Sequence, residues 1–301
     1  MKKRFLSWLL VLTMVISLIP STLVTTALAA ELPANAPDLT FTGDSAEITK
    51  NSAYTLTGDL TGKTVTVKNN AVVTLVLDGV TMSDAASPLR LAEGASVTLI
   101  VKDGTTNTIT CTAAAADTTN NGMTAGISVP EGTALTIDTP DGGAGDGKLT
   151  VQGGYGGAGI GGGAATPGYT AEVGKTGATG NSGGTAAWRG GTGGGGGHGG
   201  TGGAFGKDAE KAGSISIHAG VLQVTGGAYA AGIGGGRGAD GGDGSAGFRG
   251  YNAGPVQSVG SSGKTQGGGG GGSGGNGGNG GNGGKGGSLT ALTVTGGVVT
   301  V

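Results

Sequence analysis

"NAVVTL" at Asn70–Leu75 returns as "GASVTL" at Gly94–Leu99 and again as "GTALTI" at Gly132–Ile137. In each copy apolar side chains alternate with small or hydroxyl-bearing ones, and a glycine or asparagine opens the run. That is the pattern of a short strand with one buried face, entered through a tight turn. The copies stand 24 and 38 residues apart, a spacing at which strands stack on their own repeats. No copy can bury its inward side chains alone. Stacking would place Val73 beside Val97 and Leu75 beside Leu99, with Thr74 and Thr98 facing outward. The leading expectation is an all-β parallel solenoid, and a β-sandwich built from similar strands is the alternative.

Further copies extend the pattern toward the C-terminus. "GKLTVQGGYGGAGIGGG" at Gly147–Gly163 is restated as "GVLQVTGGAYAAGIGGG" at Gly220–Gly236, an offset of 73 residues. Ile160 and Ile233 are expected to plug the interior there, with flanking glycines supplying positive φ and close packing. "ALTVTGGVVTV" at 291–301 aligns with "SISIHAGVLQV" at Ser214–Val224 and stops before the next "AGIGGG". The chain is therefore expected to be truncated inside a repeat, with further repeats or an anchoring domain missing.

Glycine supplies 74 of the 301 residues. After each "AGIGGG" it takes every third place, as from Gly174 to Gly183 and from Gly238 to Gly250. Three residues per turn is the period of the polyproline II helix, and these segments have too little proline for collagen. Bundled polyglycine II-type helices are the expectation, since a face without Cβ lets backbones pair directly. An unstructured linker is the other reading of the same composition.

The ends add compartment. Lys2, Lys3 and Arg4, an apolar run from Phe5 to about Pro20, and "ALAA" at 27–30 form a secretory signal. The expected layout is a signal peptide at 1–30, a linker at 31–39 and a β-helix at 40–163. A glycine-rich excursion at 164–212, a β-helix coil at 213–236, a second excursion at 237–287 and the start of a further coil at 288–301 follow. Once the signal is removed no membrane span is expected, and the mature protein is read as extracellular, secreted or attached to the cell surface. Losing three of the 17 basic residues and none of the 19 acidic ones leaves a formal charge of −5, which argues against a nucleic-acid partner. Cys111, the single cysteine, cannot form an intramolecular disulfide and reads as a small buried side chain.

Polysaccharide-cleaving enzymes need clustered carboxylates, or carboxylates on calcium beside a basic group. Asp78, Glu93, Asp103 and Glu131 are isolated from one another in the sequence, so no catalytic residue is assigned and the protein is read as a non-enzyme. The densest acidic stretch, "DTPDGGAGDG", makes Asp138, Asp141 and Asp146 the candidate calcium ligands. "GADGGDG", with Asp240 and Asp243, is a lesser one. His198 and His218 have no companion at metal-ligand spacing.

Aromatic residues are scarce, so their placement is informative. Trp188 with Arg189 and Phe248 with Arg249, near Tyr251, flank the far loops of the excursions, while Tyr155 and Tyr229 sit in the two matching glycine strings. Sugars stack on exposed rings and hydrogen-bond to planar guanidinium groups, so these seven residues are the candidate glycan contacts.

The stretch Tyr54–Thr110, with "YTLTGDL" and "VTLVLDGV", and the later "GAGIGGG" resemble exported right-handed β-helix proteins of Gram-positive bacteria described as carbohydrate-binding. That resemblance implies a right-handed β-helix, a cell-surface location, acidic plant-type polysaccharide as ligand, and bound calcium in some members. The triplet segments resemble the polyglycine sandwiches of phage tail-fibre adhesins and of the snow-flea antifreeze protein. In the adhesins the loops at the helix ends contact the receptor. The function expected is a surface protein that binds polysaccharide or cell-surface glycan or displays adhesive loops. The alternatives are a structural spacer or coat, an ice-binding protein, or a polysaccharide lyase.

Overall fold

The computed structural model describes residues 33, 36–114, 123–140, 145–165, 207–241, 243, 258–259, 264–265, 276, 279, 282 and 284–301. Residues 1–30, expected to be a signal peptide, and most of both glycine-rich segments lie outside the described residues. So do Trp188, Arg189, His198, Phe248, Arg249, Tyr251 and Asp141.

Among the described residues the regular structure is all strand. Six strands form one parallel sheet: β1 (Ser45–Ile48), β3 (Thr64–Val67), β5 (Leu89–Leu91), β8 (Ile127–Ser128), β11 (Ile160–Gly161) and β14 (Ile233–Gly234), in that order. Ten form a second. Its long members are β2 (Ser52–Thr61) and β4 (Val72–Asp84). On one half of β4 lie β6 (Ser96–Val101), β9 (Ala134–Asp138), β12 (Ala212–Ile217) and β17 (Leu289–Val294). On the other half lie β7 (Thr106–Cys111), β10 (Lys148–Gln152), β13 (Val221–Thr225) and β18 (Val298–Thr300). The short antiparallel pair β15 (Ser258–Val259) and β16 (Lys264–Thr265) stands apart.

The repeats pair in the register read from the sequence. Val73 lies opposite Val97 and Leu75 opposite Leu99, and Val97 is in turn opposite Leu135. The offset of 73 sets Leu149 on Leu222 and Ile160 on Ile233, and the terminal segment sets Ile215 on Leu292. Leu75, Leu99, Ile137 and Ile160 are fully buried in one continuous core. Thr74 and Thr98, on the opposite face, are half-buried. Each fully buried Leu or Ile contributes roughly 1.5–3 kcal/mol, so these stacked rows are the principal source of stability. Parallel pairing throughout both large sheets excludes the sandwich alternative, whose strands run antiparallel.

The expectation of a right-handed β-helix solenoid is corrected. The two parallel sheets curl into a half-barrel, and the larger one does not divide into separate solenoid faces. The reason lies in Gly58 and Gly79. Both look like turn glycines, but each takes φ +70° inside a strand, and the β2–β4 register shifts between Thr57 and Gly58. A bulge of this kind bends a strand without ending it. Strand β4 therefore runs unbroken past both ladders and fuses them into one curled sheet of ten strands. The all-β class stands.

One polar side chain helps hold that bend. Asn107 is fully buried. Its Oδ1 accepts from the Val80 amide at 3.0 Å, and its Nδ2 donates to Thr105 Oγ1 at 3.0 Å and the Lys148 carbonyl at 3.2 Å. The backbone amide freed by the bulge at Gly79 is thus satisfied by a neighbouring strand.

Candidate functional site

The two glycine strings lie side by side, with Ile160 against Ile233 and Gly161 against Gly234. Their close approach needs bare backbone. A Cβ on Gly157 would run into the Thr124 carbonyl, and one on Gly227 into the carbonyl of Gly154. Repetition here is scaffolding, and the informative positions are those where the copies differ. Across 153–164 and 226–237 they differ at four places: Tyr155 against Ala228, Gly156 against Tyr229, Gly157 against Ala230, and Ala164 against Arg237.

Three of those four differences converge. The Tyr155 and Tyr229 rings meet edge to face, centroids 6.3 Å apart at 80°. The Arg237 guanidinium lies 5.6 Å from the Tyr155 centroid and 5.0 Å from that of Tyr229. Its Nη1 donates to Tyr155 Oη at 3.3 Å, and its Nη2 donates to both carboxylate oxygens of Asp240 at 2.8 and 2.9 Å. The backbone fixes the arginine as well. The Arg237 amide donates to the Gly156 carbonyl at 2.7 Å, and the Ala165 amide donates to the Arg237 carbonyl at 3.0 Å.

Tyr229 is 79% exposed and sits at φ +65°. In the other copy the same turn position is Gly156, at φ +71°. The turn thus demands a left-handed residue. Glycine adopts it freely, whereas a bulky side chain there is strained by roughly 1–2 kcal/mol. The second copy holds an exposed ring in a place the fold would sooner fill with glycine.

A second feature is a cleft of about 750 Å³ on the outward face of the six-stranded sheet. Its floor is a row across four neighbouring strands, Glu47, Thr66, Arg90 and Ser128, in direct register. Its far wall is formed by Ala164–Ala165 and Lys207, Asp208 and Glu210. Glu47 and Lys68 pair at 2.7 Å. The Arg90 Nε donates to the Ser87 carbonyl at 2.8 Å. Burial pulls the Arg90 guanidinium below its ordinary range, against the opposing charge of Asp84. Glu210 is exposed along the rim of the cleft, yet partial desolvation raises its carboxyl, partly offset by the bond it accepts from the Gly163 amide.

Of the residues singled out in the sequence, Tyr155 and Tyr229 are brought together. Arg237, which joins them, was missed, and its signal was the single change from "GIGGGA" to "GIGGGR" between the copies. Of the calcium candidates, Asp138 is buried, 3.5 Å from His218 Nδ1 and accepting the Thr139 amide at 2.8 Å. Asp146 instead accepts the Gly104 amide at 2.7 Å in a turn. Among the described residues no three His, Cys, Asp or Glu side chains are grouped to hold a metal ion. Asp78 pairs with Lys102 at 2.6 Å, and Glu131 with Lys211 at 3.4 Å. Cys111 is a buried free thiol, pushed upward in pKa chiefly by desolvation.

Residues 42–163 match the family model described as "Carbohydrate-binding domain-containing protein". That segment carries Tyr155 and the floor of the cleft. A solved structure, "Structure of the polysaccharide lyase-like protein from C. thermocellum, Gadolinium derivative", is similar at 19% identity with a TM-score of 0.32, over 63% of this chain. The match spans 64% of that structure's own length. No curated protein matches the chain. The likeness to phage tail-fibre adhesins and to the antifreeze protein finds no support in these matches. Among the described residues no helix is long and apolar enough to cross a membrane.

Proposed function

We propose that this is an exported protein that binds carbohydrate without cleaving it, through the patch formed by Tyr155, Tyr229 and Arg237. The observation that carries the reading is Tyr229, a ring four-fifths exposed and held in a left-handed turn whose counterpart is glycine. Strain of that kind persists where the side chain is needed for something other than stability. An exposed ring beside a fixed guanidinium suits a sugar, offering an apolar face for the C–H side and planar donors for hydroxyls. Asp240 is engaged by Arg237 through two contacts, which makes it a partner for the arginine rather than a free acid or base. The match of residues 42–163 to a carbohydrate-binding family supports the ligand class.

The test is a glycan array probed with the full chain and with Tyr229→Ala and Arg237→Ala. Binding by the parent chain that each substitution weakens about tenfold is the expected result. A parent chain that binds, with both variants binding equally well, would place the contact elsewhere.

A further inference from the structure

We infer that the cleft on the outward face of the six-stranded sheet is a second binding site, for an uncharged, extended glycan lying across the strands. This rests on the reading that the chain binds carbohydrate, and it runs against the acidic ligand that the sequence resemblance implies.

Three properties of the cleft carry it. The first is shape. Its volume of about 750 Å³ lies within the range of ligand sites. Its floor row, Glu47, Thr66, Arg90 and Ser128, crosses four adjacent strands. Three intervals of about 4.8 Å give a line of hydrogen-bonding groups roughly 14 Å long, which matches a ligand that repeats its hydroxyls along one direction. The second is mixed polarity. The lining also carries apolar surface, among it Pro130, the Ala164–Ala165 wall and Met123, which is 41% exposed. A pyranose ring has the same two characters, a C–H face and a rim of hydroxyls.

The third is charge. Three cationic residues, Lys68, Arg90 and Lys207, face three acidic ones, Glu47, Asp208 and Glu210. Lys68 is neutralised by Glu47 at 2.7 Å, and the two remaining acids balance the two remaining cations. A polyanion would meet Asp208 and Glu210 on the wall as well as Arg90 on the floor, and gains nothing net. A neutral chain meets carboxylates and a guanidinium as bidentate partners for vicinal hydroxyls. Arg90 is the anchor, because its Nε is tied to the Ser87 carbonyl and its remaining nitrogens are held in orientation without a further loss of freedom on binding.

The experiment isolates the cleft in a Tyr229→Gly background, which removes the ring of the other patch. Titration calorimetry compares an uncharged β-1,4-linked glucose hexasaccharide with a galacturonate oligomer of equal length. The Tyr229→Gly chain is expected to bind the uncharged hexamer and to prefer it at least tenfold over the acidic one. Adding Arg90→Gln or, at the half-buried floor position, Thr66→Ala should then lower affinity for the hexamer about tenfold, with the thermal transition of each variant confirming the fold. Preference for the acidic oligomer, loss of no affinity in either double variant, or failure of both parent and Tyr229→Gly chains to bind the hexamer would each overturn the assignment. Binding that survives Tyr229→Gly undiminished but falls with Arg90→Gln would remove the tyrosine patch as the ligand site and leave the cleft standing.

Discussion

Replacing Tyr229 by glycine and, separately, by alanine separates what the residue does for the fold from what it does for a ligand. Both substitutions delete the ring, its edge-to-face contact with Tyr155 and its contact with Arg237. They differ in one respect, since alanine keeps a Cβ at φ +65° and glycine does not. A left-handed L-residue is strained by roughly 1–2 kcal/mol, and glycine's greater freedom in the unfolded chain takes back roughly 0.5–1 kcal/mol. The glycine variant should therefore be more stable than the alanine variant by about 1 kcal/mol. That is about 2–4 °C in the thermal midpoint for a domain of this size class. The lost ring contacts are worth about 1–2 kcal/mol together, so glycine should fall near the parent and alanine below both. Differential scanning calorimetry gives the order, and titration with the best glycan from the array gives the affinities. Both variants should lose affinity equally. An alanine variant as stable as the glycine one would refute the strain argument, and a glycine variant with full affinity would refute the role of the ring.

Two further outcomes follow from polar side chains. Asn107→Leu should destabilise by about 2–3 kcal/mol despite its added apolar bulk, because it orphans the Val80 amide and the Lys148 carbonyl; unchanged stability in chemical denaturation would show that the bulge does not need it. Glu210 is raised by desolvation, so its folded form holds a proton to higher pH than its unfolded form, and its contribution, present in acid, is lost as pH rises through the folded value. Glu210→Gln should then raise the midpoint at neutral pH and lose that advantage below about pH 4, whereas a difference independent of pH would refute the desolvation.

Much of the pairing was legible because stacked parallel strands repeat their own alternation. The offsets of 24, 38, 73 and 77 residues reappear as registers, down to Val73 on Val97 and Ile160 on Ile233. What was not legible is how the rows are joined. Gly58 and Gly79 carry the same φ as ordinary turn glycines, and only the pairing on both sides of β4 shows that the strand continues through them. Asn107 shares the inward phase of Ile109 in "TNTIT", and the alternation alone does not say that a polar side chain there completes a neighbour's ladder. Of the binding patch, the two tyrosines stood out by scarcity. Arg237 did not, because recognising it requires setting one copy on the other and asking where they disagree.

The residues that bracket the first glycine-rich segment are clipped to one short stretch of backbone. Ala165 donates to the Arg237 carbonyl at 3.0 Å, and Lys207 accepts from the Ala239 amide at 3.0 Å. Entry and exit are thus fixed side by side, whatever the chain does between them. Closing a longer segment between fixed points costs only about 0.6 kcal/mol for each doubling of its length. The sheet edge therefore works as a port, at which an insertion of new length or sequence can be accepted in evolution, or by design, without renegotiating the core. Variation in this protein's relatives is expected to concentrate between positions 165 and 207 while the strands on either side keep their register.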